Sequence, residues 1–232
     1  MTVHAPIDWQ ATKARLNAKG WASLGQLLDN DQRYALRAKY DDDDDYRSTI
    51  TMRRHGFGDG EYRYFAYPLP EPIAALRAHL YSPLAGIANE WSARLDNDLR
   101  YPPTHAEFKA QCQAAGQTRP TPLILKYETG DYNRLHQDLY GDILFPLQVV
   151  ILLSDPQTDF EGGEFVLTEQ RPRAQSRAEV VPLKAGEAVV FCVNERPVVG
   201  ARGDYRVKMR HGVSEVRRGE RFALGLIFHD AA

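Results

Sequence analysis

Hydrophobic positions recur at helical spacing in the first half of the chain. Between Glu71 and Asn97 the apolar residues lie three or four positions apart, which predicts an amphipathic helix that Pro83 kinks or splits. One strand, Glu61–Tyr67, is predicted just before it. Side chains suited to capping further helices stand at Asp8, Asp29 and Thr104.

After Pro122 the pattern changes to short apolar runs separated by Gly, Pro, Asp and Asn. The runs are Leu123–Tyr127, Leu135–Leu139, Leu147–Leu153, Glu164–Leu167, Glu179–Leu183, Ala188–Val193, Val207–Val213 and Phe222–Phe228. Short strands at such regular spacing are typical of a sandwich or barrel. The sequence predicts an α+β fold with a double-stranded β-helix (jelly-roll) core at 123–230 and a mainly helical part at 1–122, whose helices pack on one sheet. Because no linker divides the chain, we expect a single domain, 1–232.

The composition is that of a globular protein. Of 232 residues, 43% are hydrophobic and 26% charged, which excludes disordered, collagen-like and coiled-coil chains. The formal net charge of −2 excludes a globally basic nucleic-acid binder. Residues 170–221, however, hold 12 Lys and Arg against 6 Asp and Glu. This basic segment either attracts an anionic partner or is solvated surface charge.

Several features predict a cytoplasmic protein without membrane contact. No apolar run approaches the length of a membrane span, and residues 1–10 lack the apolar core of a signal peptide. Cys112 and Cys192 lie far apart without the spacing of a metal site, which favours a reducing compartment.

His136 and Asp138 are the first candidates for chemistry. Residues two apart on a strand point to the same face, so both side chains would enter one cavity. An imidazole and a carboxylate need one more ligand to form the facial triad that holds non-haem Fe(II). Alone, the motif fits a surface His–Asp hydrogen bond equally well.

His211 and Arg221 lie near the far end of the chain, each in a strand-like run. An arginine that opens a buried strand is costly unless an anion meets it. A dicarboxylate that chelates the metal at one end would place its other carboxylate within reach of Arg221, which can bind it bidentately. Ala223 and Gly225 share the face of Arg221 and leave room for such a ligand. The alternative for Arg221 is an ion pair with a neighbouring acid such as Glu220.

The order of these residues in a jelly-roll pattern resembles the Fe(II)/2-oxoglutarate-dependent dioxygenases. Supporting motifs are KYETGDYNRLHQD before the metal site, GGEF at Gly162–Phe165 and LKAGEAVVF at Leu183–Phe191. Within this superfamily, MRRHGFGDGEYRYFAYPLP at Met52–Pro70 and FVLTEQRPRAQSRAEVVPL resemble a bacterial family described as AlkB-type nucleic-acid oxygenases.

The resemblance implies Fe(II), 2-oxoglutarate as cosubstrate, and O2. It makes His136, Asp138 and His211 the iron ligands and Arg221 the residue that binds the distal carboxylate of 2-oxoglutarate. Tyr127 matches a strand tyrosine that often helps to hold this carboxylate; its alternative is a core aromatic. The chain departs from the AlkB-type pattern at three positions, Leu125, Ala223 and Ile227, where polar residues are absent.

Three functions remain open at this point. The first is oxidative demethylation of alkylated, single-stranded DNA or RNA, as in DNA repair, which the family resemblance and the basic segment favour. The second is hydroxylation of a protein side chain, of the prolyl type, or of a small molecule, which the GGEF motif and the departure at Ile227 favour. The third is a non-enzymatic, cupin-like protein that binds a metal or ligand.

Overall fold

A computed structural model describes residues 6–139 and 141–232. Residues 1–5, part of the segment considered above for export, lie outside the described residues. Within the described part, no helix is both long and apolar enough to cross a membrane.

Four α-helices occur in the described residues: α1 Trp9–Lys19, α2 Asn30–Ala38, α3 Glu71–Arg94 and α4 His105–Ala114. The predicted caps are present, since Asp8 accepts a hydrogen bond from the Ala11 N–H and both Asp29 and Thr104 form capping boxes. The expected split at Pro83 is wrong, because α3 continues through this residue. Leu80, Leu84 and Ile87 are buried on both sides of the proline, and their packing holds the helix together despite the lost hydrogen bond.

Strands of the described residues form two large antiparallel sheets and one small one. The strands are β1 Trp21–Gln26, β2 Tyr46–Thr51, β3 Gly58–Asp59, β4 Glu61–Phe65, β5 Leu123–Tyr127, β6 Tyr132–His136, β7 Leu147–Leu152, β8 Phe160–Gly162, β9 Phe165–Gln170, β10 Arg177–Val181, β11 Glu187–Cys192, β12 Glu195–Gly200, β13 Gly203–Val213, β14 Val216–Gly219 and β15 Arg221–Leu226. The seven-stranded sheet has the order β1-β11-β7-β15-β5-β4-β2. The second sheet has the order β10-β9-β13-β6-β3, with β12 also paired to β13, and β14 pairs with β8.

The N-terminal part contributes strands as well as helices. Strands β1, β2 and β4 extend the seven-stranded sheet at its two edges, and β3 joins the second sheet beside β6. Apart from β4, these strands escaped the sequence analysis because edge strands carry little hydrophobic alternation; β2, for instance, has no fully buried residue.

Strand β7 shows where the helices and the cavity lie relative to the sheet. All six of its residues are buried. Gln148 and Val150 line an internal cavity. Alternation turns Val149 and Ile151 to the opposite face, where they share one apolar core with Leu80 and Leu84 of α3. One face of the seven-stranded sheet therefore packs on helices, and the other faces the cavity and the second sheet.

Candidate active site

Strand pairing brings two distant histidines together. His136 ends β6 and is the cross-strand partner of His211 in β13. Their ring centroids lie 4.2 Å apart. Asp138 lies two residues beyond the end of β6, so the expectation of a common strand holds for His136 but not for Asp138. All three side chains nevertheless reach one cavity.

The three side chains form a compact donor cluster. His136 Nε2 lies 3.3 Å from Asp138 Oδ1, and His211 Nε2 lies 3.3 Å from Asp138 Oδ2. Their ligand atoms all lie within 4.8 Å of one another. Asp138 and His211 are buried, while the His136 side chain is 33% exposed. The cluster is thus enclosed by the fold and open along one imidazole.

The protonation of the cluster follows from its surroundings. Burial alone would raise the pKa of the Asp138 carboxyl, but the two neighbouring imidazoles hold it well below its ordinary value. Burial lowers the pKa of His211, although Asp138 partly opposes the change. For His136 burial also acts to lower the pKa, but the hydrogen bond and charge of Asp138 raise it overall. Asp138 is therefore a carboxylate.

Three hydrogen bonds hold the segment that carries His136 and Asp138. The Nδ1 of His136 lies 2.7 Å from the Arg134 carbonyl oxygen. This oxygen accepts a hydrogen bond from the Nδ1–H, so the lone pair of Nε2 can bind a metal. Gln137 Nε2 donates to Asn194 Oδ1 at 2.7 Å and to the Met209 carbonyl at 2.8 Å. These bonds tie the segment that carries Asp138 to β13 and to the turn between β11 and β12. Gln137 is not predicted from the sequence, where its only signal is its place between His136 and Asp138.

Arg221 and Tyr127 enter the same cavity from the opposing sheet. They are cross-strand partners in β15 and β5. Arg221 is 2% exposed, its guanidinium carbon lies 5.6 Å from the centre of the Tyr127 ring, and its Nε has no hydrogen-bond partner. Burial lowers the pKa of this guanidinium, and the charges of Tyr127 and Glu164 oppose the change only in part. The alternative ion pair with Glu220 is not formed; Glu220 instead lies 3.4 Å from Lys126.

Tyr127 is fully buried, and burial raises its pKa to about 12. Its hydroxyl accepts a hydrogen bond from Asn133 Nδ2 at 3.2 Å, which leaves the phenolic O–H as a donor. Asn133 also lines the cavity and was missed from the sequence, since nothing in its neighbourhood distinguishes it.

The cavity has a volume of about 170 Å³. Its ionisable groups include the His136–Asp138–His211 cluster at one part of the wall and Arg221 with Tyr127 at another. Three amides, Asn133, Gln137 and Gln148, also line it, while most of the remaining wall is aromatic or aliphatic. Enclosed apolar walls with a few convergent polar groups are typical of a binding site for a small molecule.

A family model described as "Oxygenase, catalysing oxidative methylation of damaged DNA" matches residues 60–231. The chain belongs to this oxygenase family, Oxygenase-NA. Two uncharacterized proteins of Mycobacterium tuberculosis, MT2286 of strain CDC 1551 and Rv2227 of strain H37Rv, are each 54% identical to it over 168 residues, 72% of either chain.

Solved structures share the fold of this oxygenase. A Pseudomonas putida prolyl-4-hydroxylase aligns with a TM-score of 0.57 and 17% identity, covering 97% of this chain and 99% of that one. An oxidoreductase of the 2OG-Fe(II) oxygenase family from Burkholderia pseudomallei aligns with a TM-score of 0.56 and 16% identity, covering 99% and 98%. The prediction of an oxygenase is confirmed by the family model, so this member of Oxygenase-NA is an oxidoreductase and the non-enzymatic alternative does not fit it. Its fold is similar to that of 2OG-Fe(II) oxygenases.

The positions at which this oxygenase departs from the AlkB-type pattern also line the cavity. Leu125, Ala223 and Ile227 all contribute to its wall. The two small residues expected beside Arg221, Ala223 and Gly225, both line the cavity. The cavity is therefore more apolar than the resemblance alone implies.

Proposed function

We propose that this oxygenase binds Fe(II) at His136, Asp138 and His211 and uses 2-oxoglutarate and O2 to oxidise a further substrate. The observation that carries the proposal is the pairing of two incomplete sites in one cavity. One is a buried carboxylate flanked by two imidazoles, and the other is a buried arginine whose Nε has no hydrogen-bond partner. A metal completes the first, and a carboxylate completes the second.

The donor set fits Fe(II). Two imidazole nitrogens and one carboxylate are the facial triad of non-haem iron oxygenases, which leaves positions open for other ligands. The hydrogen bond from His136 Nδ1 to the Arg134 carbonyl supports metal binding through Nε2. When bound, the iron supplies the activation of O2, which side chains alone cannot perform.

The chain's own residues bind, orient and shield. Arg221 holds the distal carboxylate of 2-oxoglutarate, and the Tyr127 hydroxyl donates a further hydrogen bond to it. Asn133 keeps that hydroxyl oriented. The apolar walls, with Val150, Phe165 and Phe191 among them, exclude water from the reacting groups.

We further infer that the two sheets form a double-stranded β-helix and that residues 1–232 are a single domain. Cavity residues come from β5, β7, β11 and β15 of one sheet and from β6, β9 and β13 of the other. The N-terminal part supplies strands to both sheets, which supports one cooperative unit rather than two.

For the substrate we propose an alkylated nucleic acid, as the description of the family suggests. Phe57 lines the cavity and is 46% exposed, and its ring stacks on His55 with centroids 5.3 Å apart. Two exposed cationic residues lie near Phe57. Arg54 precedes it by three residues, and Arg134 on β6 is its neighbour in space, because the Arg134 N–H donates to the Phe57 carbonyl at 2.8 Å. An aromatic platform beside cations suits a stacked base and its phosphates. His55 itself does not line the cavity.

The cofactor proposal is tested by anaerobic titration with Fe(II) and 2-oxoglutarate. We expect the weak visible metal-to-ligand charge-transfer band of such complexes, and its loss in His211→Ala. His79→Ala, which changes an exposed histidine of α3, is the matched control and retains the band. A folded, iron-loaded protein without the band would contradict the proposal.

The substrate proposal is tested by binding of a single-stranded oligonucleotide over a range of salt concentrations. Arg54→Ser is expected to weaken binding and to reduce the salt slope by about one, because one phosphate contact is lost. Lys13→Ser removes an exposed cation of α1, which pairs with Glu90, and serves as the control. Equal effects of the two variants, or binding independent of salt, would favour the protein or small-molecule hydroxylase instead.

A further inference from the structure

Gln148 is a buried amide in the middle of an apolar run. It is the second residue of β7, in the sequence FPLQVVILL, and all six residues of this strand are buried. Its side-chain oxygen Oε1 has no hydrogen-bond partner. A buried polar atom without a partner destabilises a fold, and a leucine would fit the pattern of the strand better. The fold therefore gives no reason for this glutamine.

The strand register places Gln148 at the level of the metal ligands. It is the cross-strand partner of Phe191 in β11, whose ring centroid lies 4.8 Å from that of His211. Arg221 lies at the other end of the cavity, since Ala223, two residues after it, pairs with Leu152. Gln148 and Arg221 therefore stand at opposite ends of the same row of inward-facing residues.

The wall near Gln148 offers little other polarity. Val150, Phe165 and Phe191 are apolar, and Ile227 follows Leu226, the partner of Val149 in the adjacent strand β15. Gln137 also lines the cavity, but its amide nitrogen is already bonded to Asn194 and Met209. Apart from the proposed metal ligands, Gln148 is thus the polar group best placed to meet a ligand at this end.

We propose that Gln148 is a positioning residue for the cosubstrate: its amide N–H donates to the 2-oxo acid end of 2-oxoglutarate. The inference rests on the proposed function, in which Arg221 holds the opposite carboxylate. An amide can turn by 180° within the same space, so that it presents either its N–H or its oxygen to the cavity. The hydrogen bond fixes the end of 2-oxoglutarate that chelates the metal. It supplies a polar contact that the apolar side chain of Ile227 cannot give.

The test compares two acids and three variants. 2-Oxobutyrate keeps the 2-oxo acid end of 2-oxoglutarate but lacks the distal carboxylate. Each acid is titrated anaerobically into the Fe(II)-loaded wild type, Gln148→Leu, Gln148→Glu and Arg221→Met, and the dissociation constant and the position of the charge-transfer band are recorded. Thermal unfolding of each variant is measured in parallel without ligands.

For Gln148→Leu we expect affinity for both acids to fall roughly tenfold or more, with a shifted band and an unfolding temperature no lower than that of the wild type. Gln148→Glu is expected to bind both acids more weakly still, because its carboxylate repels theirs. Arg221→Met should weaken 2-oxoglutarate far more than 2-oxobutyrate. This variant therefore separates the two ends of the ligand.

Unchanged affinity and band position in Gln148→Leu would overturn the inference, and so would a Gln148→Glu protein that binds both acids like the wild type. A loss confined to 2-oxoglutarate would also overturn it, because Gln148 would then act at the distal carboxylate. A folded wild type that binds neither acid would overturn the proposed function itself, which distinguishes that failure from the failure of the role of Gln148.

Discussion

Two buried charged regions of this oxygenase are built in opposite ways. One is the C-terminal clasp, which we define as Arg77, Asp230 and the main-chain carbonyls of residues 227–229. Arg77 is 1% exposed; it donates to all three carbonyls and lies 2.7 Å from Asp230 Oδ1. The other is the cavity, where Arg221 is equally buried but its Nε has no partner.

The difference separates charges that serve the fold from charges that serve a ligand. A buried guanidinium is tolerated when most of its N–H groups are matched, as in the clasp. Arg196 likewise donates through its two terminal nitrogens to two carbonyls of α1 and to Glu169, although its Nε has no partner. Among the described residues, Arg221 forms no such ion pair, and its Nε also has no partner. Its burial is a cost that an anionic ligand offsets, so changes in the two regions should affect different measurements.

The largest effect on activity is expected in the cavity. Asp138→Ala removes the carboxylate that both histidines contact, and we expect iron binding and turnover to fall by more than the roughly 10- to 100-fold seen when only outer-shell partners are changed. Iron content and product formation are the measurements. Full activity in Asp138→Ala would refute the metal site, whereas Asp138→Glu keeps the charge and is the control for charge alone.

In the clasp the largest effect is expected on stability. Arg77→Met leaves Asp230 buried without its cation, which we expect to lower the free energy of unfolding by about 3–5 kcal/mol. Denaturant unfolding measures this change. The affinity for 2-oxoglutarate should change little in the fraction that remains folded. If Arg77→Met were as stable as the wild type, Arg77 would not stabilise the fold, and its contrast with Arg221 would be wrong.

Arg221→Met makes in the cavity the same substitution that Arg77→Met makes in the clasp. We expect affinity for 2-oxoglutarate to fall by roughly 10- to 100-fold, the worth of hydrogen bonds to a charged group. The unfolding temperature should stay the same or rise, because an unmatched buried cation is removed. Arg221→Lys is the conservative control and should restore part of the affinity. Strong destabilisation by Arg221→Met would contradict the contrast with Arg77.

The same contrast explains what could be predicted from the sequence. Arg221 was found because a charge at the start of an apolar strand violates the local pattern, and His136, Asp138 and His211 were found through spacing and resemblance. Arg77 was not singled out, because it sits on a helix where a charged residue looks ordinary. Its partners lie some 150 residues away, and no local pattern reveals such a contact.

Some strands could be predicted from the sequence and others could not. Most strands after Pro122 were predicted, since burial on both faces leaves continuous apolar runs such as that of β7. Strand β12 was missed because it begins with Glu195 and contains Pro197, so its sequence lacks a strand pattern. Its hydrogen bonds with β13 hold it in the sheet. Asn133 and Gln137 were missed for the same reason: their partners are set by the pairing of strands, not by neighbours in the chain.

The smallest expected effect is a pH dependence that arises at His229, whose main-chain carbonyl belongs to the clasp. His229 is 2% exposed, and its Nδ1 accepts a hydrogen bond from the Phe145 N–H at 3.2 Å. Burial lowers its pKa from 6.5 to about 4. The unfolded chain therefore takes up a proton at a higher pH than the folded one. The stabilisation is fully present above about pH 6.5 and is lost as the pH falls toward 4.

His229→Gln removes this titration, so the fall in unfolding temperature between pH 7 and pH 4.5 should be smaller than in the wild type. It should not vanish, because burial also lowers the pKa of His105, whose Nε2 lies 2.9 Å from the Phe228 carbonyl, to about 4. Thermal unfolding across the pH range measures the difference, and an NMR titration of the wild-type imidazole protons gives the two pKa values directly. If wild type and variant lost stability in parallel, the acid sensitivity would have to come from groups other than His229.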